Sequence, residues 1–212
     1  MKQHPFSSHT PEEMRRLSNL GHAIEGLILC TVSVLALLSN FSTAAWVSSH
    51  WPVLIFVAGI LLFFLIYPRH PLSDWPQIWR DAQQREHSII AVSIAASGLA
   101  ELLQKNLPWL GVIWPAAMLL IGSLFLFHAQ HGTSEAAVKA VRVHRILGIT
   151  IVAAGLLGVA ELITGAEVFA ILWPVVLIAA AVQLLIYREP KGAYEDGPGH
   201  EDHGEHRNYF GE

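Results

Sequence analysis

The chain has 212 residues, of which 53% are hydrophobic and only 14% charged, and its formal net charge at pH 7 is −4. A soluble domain carries about 25% charged residues, so this composition and the mean hydropathy of +0.44 indicate a membrane protein. The chain has no basic run of the kind that nucleic acid attracts, which excludes nucleic acid as a partner. Its single cysteine, Cys30, excludes an intramolecular disulfide and any metal motif that needs two cysteines.

The sequence predicts three parts: a short polar segment, a membrane domain and a polar tail. Residues 1–20 carry acidic and basic groups without the cleavage pattern of a secretory signal, and we expect them to form an N-terminal cytoplasmic segment. A helix needs about 20 mainly apolar residues to cross a membrane. The sequence therefore predicts an all-α integral membrane protein with six transmembrane helices within residues 21–188, followed by a flexible tail over 189–212. The six predicted spans are residues 21–39, 52–67, 88–104, 109–128, 144–163 and 168–187.

The loops between these spans differ in length and charge. The loops after spans two and four are long and rich in charge, whereas those after spans one, three and five are less charged. We call the side that bears the N-terminus, the two long loops and the C-terminus face A, and the opposite side face B. Twelve of the 13 lysines and arginines lie on face A, and only Lys105 lies on face B. The positive-inside rule therefore predicts that face A is cytoplasmic, with both termini inside.

An internal repeat with a period of about 60 residues runs through the spans. Each even-numbered span opens with a Trp-Pro pair. Proline suits the first turn of a helix, and tryptophan suits the level of the lipid headgroups. The repeat predicts three similar helical hairpins packed as one bundle. The pairs are Trp51-Pro52, Trp114-Pro115 and Trp173-Pro174.

The odd-numbered spans repeat as well, in "GLAELL" (98–103) and "GVAELI" (158–163). Their glutamates, Glu101 and Glu161, lie about one turn inside face B. Ionisable groups at such depths often face the bundle interior, which makes both functional candidates, although extension of the side chains to the interface would also explain them. Small residues would let these helices approach closely; they are Ala95, Ala96, Gly98, Ala154, Gly155 and Gly158.

Histidines gather on face A, where 11 of the 12 lie; only His50 is on face B. Neutral imidazole is the commonest protein ligand for metals such as zinc, copper, nickel and iron. His128 and His131 are three residues apart and would share one helix face if the helix continued that far, and His144 begins the next span. Glu25 could add a carboxylate beside His22. We therefore take five histidines as candidate metal ligands, with hydrogen bonding to lipid headgroups as the alternative: His22, His87, His128, His131 and His144.

The tail after residue 187 is charged and almost free of aliphatic side chains, so it is predicted to be flexible. Its "HEDHGEH" run has the composition of a weak metal-capturing tract. A solvated polar tail explains the same composition equally well.

Four stretches resemble the membrane portion of the copper resistance protein D (CopD) family: "FHAQHG", "VRVHRILGI", the ending "ILWPVVLIAAAVQLLIYREP" and the loop "PLSDWPQIWRDAQQREH". The resemblance covers about residues 65–190. It implies a copper-handling protein of the bacterial inner membrane, with His87, His128, His131 and His144 as copper-contacting residues. Only Met118 lies inside a span, so binding at histidines is better supported than passage of Cu(I) along thioethers.

Two other functions fit the same pattern. Paired histidines from neighbouring helices could ligate haem b in a membrane cytochrome that transfers electrons. A non-catalytic accessory subunit could instead use the tail to bind a soluble or membrane partner. The sequence offers no arrangement of nucleophile, base and oxyanion donors and no phosphate loop, so we do not expect an enzyme.

Overall fold

The computed structural model describes residues 10–41, 45–66, 79, 82–127 and 135–192, and these form helices and turns with no strand. Five helices are long and apolar enough to cross a membrane, and the helix that contains His50–Phe64 has a shorter apolar stretch. The all-α prediction is confirmed, and the helices indicate a multi-pass membrane protein. The helices are α1 (Pro11–Ser39), α2 (Ala45–Ile66), α3 (Ala82–Leu103), α4 (Ile113–Phe127), α5 (Glu135–Thr164) and α6 (Glu167–Ile186), with a 3-10 helix (Pro108–Val112) before α4.

Two helices extend well beyond their predicted spans on face A. Helix α1 begins at Pro11, where Thr10 caps it: Glu13 N donates to Thr10 Oγ1 at 3.3 Å, and Thr10 N donates to Glu13 Oε2 at 2.8 Å. Arg15 donates two hydrogen bonds to Glu12 and holds the pKa of that carboxyl below its usual value. Helix α5 likewise begins at Glu135 rather than near residue 144. The apolar pattern marked only the membrane-spanning part of each helix, and in α1 the cap and the exposed ion pairs of Glu12 stabilise the extension into polar sequence.

The six helices pack as a ring in chain order. Each helix contacts its neighbours in sequence, and α6 returns to contact α1. The most extensive interfaces are α2 with α3, α4 with α5, and α1 with α6. The first two pairs are joined by the two long loops, and the third pair closes the ring. None of the three is a predicted hairpin, since each hairpin would pair an odd-numbered helix with the even-numbered helix that follows it. Large apolar side chains also cover the outer surface, among them Leu27, Ile149 and Ile163, as contact with lipid requires.

Small residues make close contacts between helices, as predicted. Gly98 of α3 packs against the backbone of Phe56 in α2, and Ala95 packs against Gly59. Ala154 is fully buried in α5, and Gly155 and Gly158 of the same helix pack against Leu119 and Pro115 of α4. The prediction is wrong for Ala96, which is exposed because its place on α3 faces away from the neighbouring helices.

The Trp-Pro pairs differ from the prediction in two respects. Pro52 and Pro174 lie inside α2 and α6 rather than in the first turn, because both helices begin several residues earlier. The three tryptophans are buried in the bundle rather than anchored in the headgroup layer. A proline inside a helix leaves the carbonyl four residues before it without its usual donor. Ahead of Pro174 that carbonyl belongs to Ala170, and Asn40 Nδ2 donates to it at 3.1 Å.

Replacing Asn40 with leucine is expected to lower the free energy of unfolding by about 1 kcal/mol, because the Ala170 carbonyl loses its donor. Thermal unfolding in detergent measures the change. In a Pro174→Ala background, residue 174 regains an N–H that can donate to Ala170, so the same Asn40→Leu substitution should cost less. An equal cost in both backgrounds would show that Asn40 does not compensate for Pro174.

Candidate functional site at face A

Four aromatic side chains from α1, α4, α5 and the residue after α6 meet at the face A end of the bundle. The ring centroids of His22 in α1 and His144 in α5 are 5.7 Å apart. Tyr187, directly after α6, lies 4.8 Å from the His22 ring and 5.5 Å from the His144 ring. Phe125 of α4 stacks on His144, with centroids 5.9 Å apart and planes 19° apart. The structure therefore brings together two of the five predicted ligands.

Backbone carbonyls determine which nitrogen of each imidazole carries the proton. His22 Nδ1 lies 2.7 Å from the carbonyl oxygen of Ser18, and His144 Nδ1 lies 2.9 Å from that of Ala140. A carbonyl can only accept a hydrogen bond, so Nδ1 must donate in both rings. The neutral ring then has its lone pair on Nε2. Histidines that bind metals are commonly held in this way, with the other ring nitrogen donating to a backbone carbonyl.

Burial distinguishes the two histidines. His144 is only 6% exposed, whereas His22 is half-buried. Both rings lie beside Tyr187, which follows α6 directly. A buried imidazole costs free energy unless its polar atoms have partners. The bond from Nδ1 to the carbonyl one turn earlier meets this requirement at one nitrogen of each ring.

Glu189 is a site residue that the sequence analysis missed. It is buried, its Oε2 accepts a hydrogen bond from Ser18 Oγ at 2.8 Å, and its backbone N donates to Asn19 Oδ1 at 2.7 Å. Ser18 Oγ also lies 3.3 Å from His22 Nδ1. Carboxylate, hydroxyl and imidazole thus form a chain that orients His22. The other oxygen, Oε1, is buried without a hydrogen-bond partner among the described residues.

The remaining predicted ligands are not part of this pair. His87 is half-buried in α3, and Glu25 is half-buried in α1. Within residues 10–41, 45–66, 82–127 and 135–192, no group of three or more His, Cys, Asp or Glu side chains is placed to hold a metal ion. His128, His131 and the "HEDHGEH" run lie outside the described residues, so their roles stay predictions.

A second polar cluster lies at the face B end, among the repeated tryptophans. The Trp173 ring is 4.7 Å from Trp114 and 6.0 Å from Trp51. Trp173 Nε1 donates to Glu161 Oε2 at 2.8 Å, and Gln104 Nε2 donates to Glu101 Oε2. Glu101 is only 8% exposed, so it faces the interior and does not extend to the interface.

Comparison of the chain with protein-family models, with curated proteins and with solved structures finds no match. The resemblance to the CopD family therefore rests on the short motifs given above, and the site must be interpreted from its own geometry.

Proposed function

We propose that the protein binds a transition-metal ion at face A through His22 and His144 and handles copper at the membrane, for uptake, delivery or resistance. The proposal depends on one observation: two imidazoles from different helices lie 5.7 Å apart, and both donate Nδ1–H to a backbone carbonyl. Nε2 is then the ligating nitrogen in each ring. Two nitrogens bound to one ion are at most about 4 Å apart, so the two Nε2 atoms would have to come within this distance when the ion binds.

Two ligands do not complete a metal site, and His128 and His131 are the candidates to complete this one. Phe125 stacks on His144, and the "HAQHG" stretch begins three residues after Phe125. Three residues span at most about 11 Å, which keeps His128 within reach of the pair. Four imidazoles would give a nitrogen-rich site. Glu189 would act through Ser18, by holding His22 in its ligating orientation.

Copper is the ion that we favour. Imidazole suits zinc, copper, nickel and iron, and among divalent ions of the first transition row copper binds most tightly to a given site. The CopD resemblance also favours copper. Tyr187 packs against both imidazoles. This favours a single ion over haem b, because a porphyrin needs an open slot between its axial ligands.

The location of the site follows from the topology that we propose. With face A in the cytoplasm and the protein in a bacterial inner membrane, His22 and His144 would take ions from, or release them to, the cytoplasmic side. The acidic, histidine-bearing tail starts a few residues after Tyr187 and could collect ions or bind a partner there. We assign no catalytic role.

Metal binding by the detergent-purified protein tests the proposal. We expect about one tightly bound copper ion per chain by elemental analysis. Replacing His22 and His144 together by alanine should weaken binding at least about 100-fold, because even loss of a residue that only supports a ligand weakens metal binding about 10- to 100-fold. Replacing His128 and His131 together should also weaken it.

His50→Ala is the matched control, because His50 is an exposed histidine at the opposite end of the bundle. It should leave copper binding unchanged. A protein that binds no stoichiometric metal, or whose binding survives the His22→Ala/His144→Ala change, would contradict the proposal. A Soret band in the absorption spectrum would support the cytochrome instead, and neither signal would favour an accessory subunit.

A further inference from the structure

The outer surface of α5 carries an exposed apolar stripe that ends in two arginines. The apolar members of the stripe are Ile149, Leu156 and Ile163. They are spaced by seven residues, close to two helical turns, so they share one side of the helix. Arg142 continues the same spacing towards face A, Arg145 lies one turn from it, and both are exposed. One exposed side of α5 therefore changes from apolar to basic at face A.

Helix geometry places the two arginines at the edge of the membrane. An α-helix rises about 1.5 Å per residue, so Arg145 lies about 27 Å along α5 from Ile163. The hydrocarbon core of a bilayer is about 30 Å thick. When the apolar stripe occupies this core, Arg145 lies at its boundary and Arg142 lies one turn further out. Both guanidinium groups are then at the level of the lipid phosphates, where a charge does not incur the cost of burial in hydrocarbon.

A pocket of about 320 Å³ opens beside the two arginines. This volume is in the range of small-molecule sites. Its described lining belongs to α5 alone and consists of Ala137, Val138, Val141, Arg142 and Arg145. Guanidinium groups beside aliphatic side chains suit a ligand in which an anionic group is joined to an apolar chain.

The two arginines also differ from the others in their hydrogen bonding. In the described part of the chain, neither Arg142 nor Arg145 has a hydrogen bond or an ion pair. Glu135, the acidic residue nearest to them in sequence, lies seven residues before Arg142, about 10 Å along the helix axis. Both guanidinium groups are therefore available to an external anion. The other described arginines donate to Glu12 (Arg15 and Arg16), to the Trp79 carbonyl (Arg85) and to the Leu185 and Tyr187 carbonyls (Arg188).

We propose that Arg142 and Arg145 bind the phosphate of one anionic phospholipid at face A, whose acyl chain lies along the apolar stripe of α5. Guanidinium groups bind phosphate through paired N–H donors. A zwitterionic lipid would bring its own cation beside the two arginines, so an anionic headgroup fits better. A free phosphate ion would gain nothing from the apolar stripe.

The lipid site does not rest on the proposed metal site. His144 lies between the two arginines in sequence, but it is only 6% exposed and packs against rings of the bundle interior. The same stretch of α5 thus presents an imidazole inward and two guanidinium groups outward. Loss of lipid binding and loss of metal binding can therefore be measured separately.

Native mass spectrometry of the detergent-purified protein tests the proposal. Delipidated protein is titrated with phosphatidylglycerol, which has a net negative charge, and in parallel with phosphatidylcholine of the same acyl chains, which has none. We expect one phosphatidylglycerol per chain to bind at least about 10-fold more tightly than phosphatidylcholine. Inorganic phosphate at the concentration of the lipid should not displace it, and displacement would show that the site takes a free anion instead.

The Arg142→Gln/Arg145→Gln variant should bind phosphatidylglycerol about 10- to 30-fold more weakly, the scale expected for removing two basic groups at a membrane surface. Arg15→Gln/Arg16→Gln is the matched control, because it removes the same charge at the same face from arginines that already pair with Glu12. It should keep nearly all of the affinity.

Val138→Glu is a second test that leaves both arginines in place. It puts a carboxylate in the pocket one turn before Arg142, where it should pair with that guanidinium group and weaken lipid binding. The inference is overturned if the wild-type protein does not distinguish the two lipids, if Arg142→Gln/Arg145→Gln or Val138→Glu binds phosphatidylglycerol as the wild type does, or if the control variant loses as much affinity.

Discussion

Replacing Gly98 with alanine is expected to lower the free energy of unfolding by about 3 kcal/mol. In most helices the same substitution is stabilising by up to about 1 kcal/mol, because alanine restricts the unfolded chain. Here a Cβ would overlap the backbone nitrogen of Phe56, and a Cβ at Gly59 would likewise overlap the backbone of Ala95. Backbone atoms cannot move aside as a flexible side chain can, so α2 and α3 would have to separate.

Gly21→Ala is the control for this prediction. Gly21 is also helical, and a Cβ there would meet nothing within 4 Å. Thermal unfolding in detergent should therefore show opposite changes, with Gly21→Ala neutral or stabilising and Gly98→Ala strongly destabilising. If the two variants unfold alike, α2 and α3 do not approach as closely as the structure shows.

The sequence alone predicted the helices, and it predicted at which of the two faces each polar side chain lies. Hydropathy reports which segments can be buried in lipid, and alternating helix direction then places His22 and His144 at one end and Glu101 and Glu161 at the other. The first grouping is confirmed by the contact between the two histidine rings. Hydropathy does not report which helices are neighbours, because lipid and protein interior are equally apolar. The contact of α1 with α6, which closes the ring, could not be predicted in this way.

The sequence also could not identify residues whose role depends on a particular neighbour in the fold. Asn40 and Glu189 look like ordinary polar residues after an apolar helix. Each has its role only because a partner far along the chain, Ala170 or Ser18, lies beside it. Trp114 and Trp173 matched the pattern of interfacial anchors, yet mutual packing buries them. Composition at a helix end cannot distinguish an aromatic side chain that faces lipid from one that faces the bundle.

The contact of α1 with α6 positions His22 for the proposed site. Gly26 lies one turn after His22, and a Cβ there would be 2.9 Å from Leu185 Cγ and 3.0 Å from the Ala181 carbonyl oxygen. A leucine at residue 26 would push α1 away from α6. Because His22 belongs to the same helix, its ring would move away from Tyr187 and from His144.

Gly26→Leu is therefore expected to weaken copper binding at least about 10-fold, the scale of losing a group that orients a metal ligand. Gly21→Leu should leave the affinity unchanged, since Gly21 adjoins His22 but has open space around it. Isothermal titration of both variants measures the difference. In the Gly26→Leu background, adding His22→Ala should cost little more, because the displaced imidazole no longer contributes. A full additional loss there, or wild-type affinity in Gly26→Leu, would mean that His22 reaches the ion without the contact between α1 and α6.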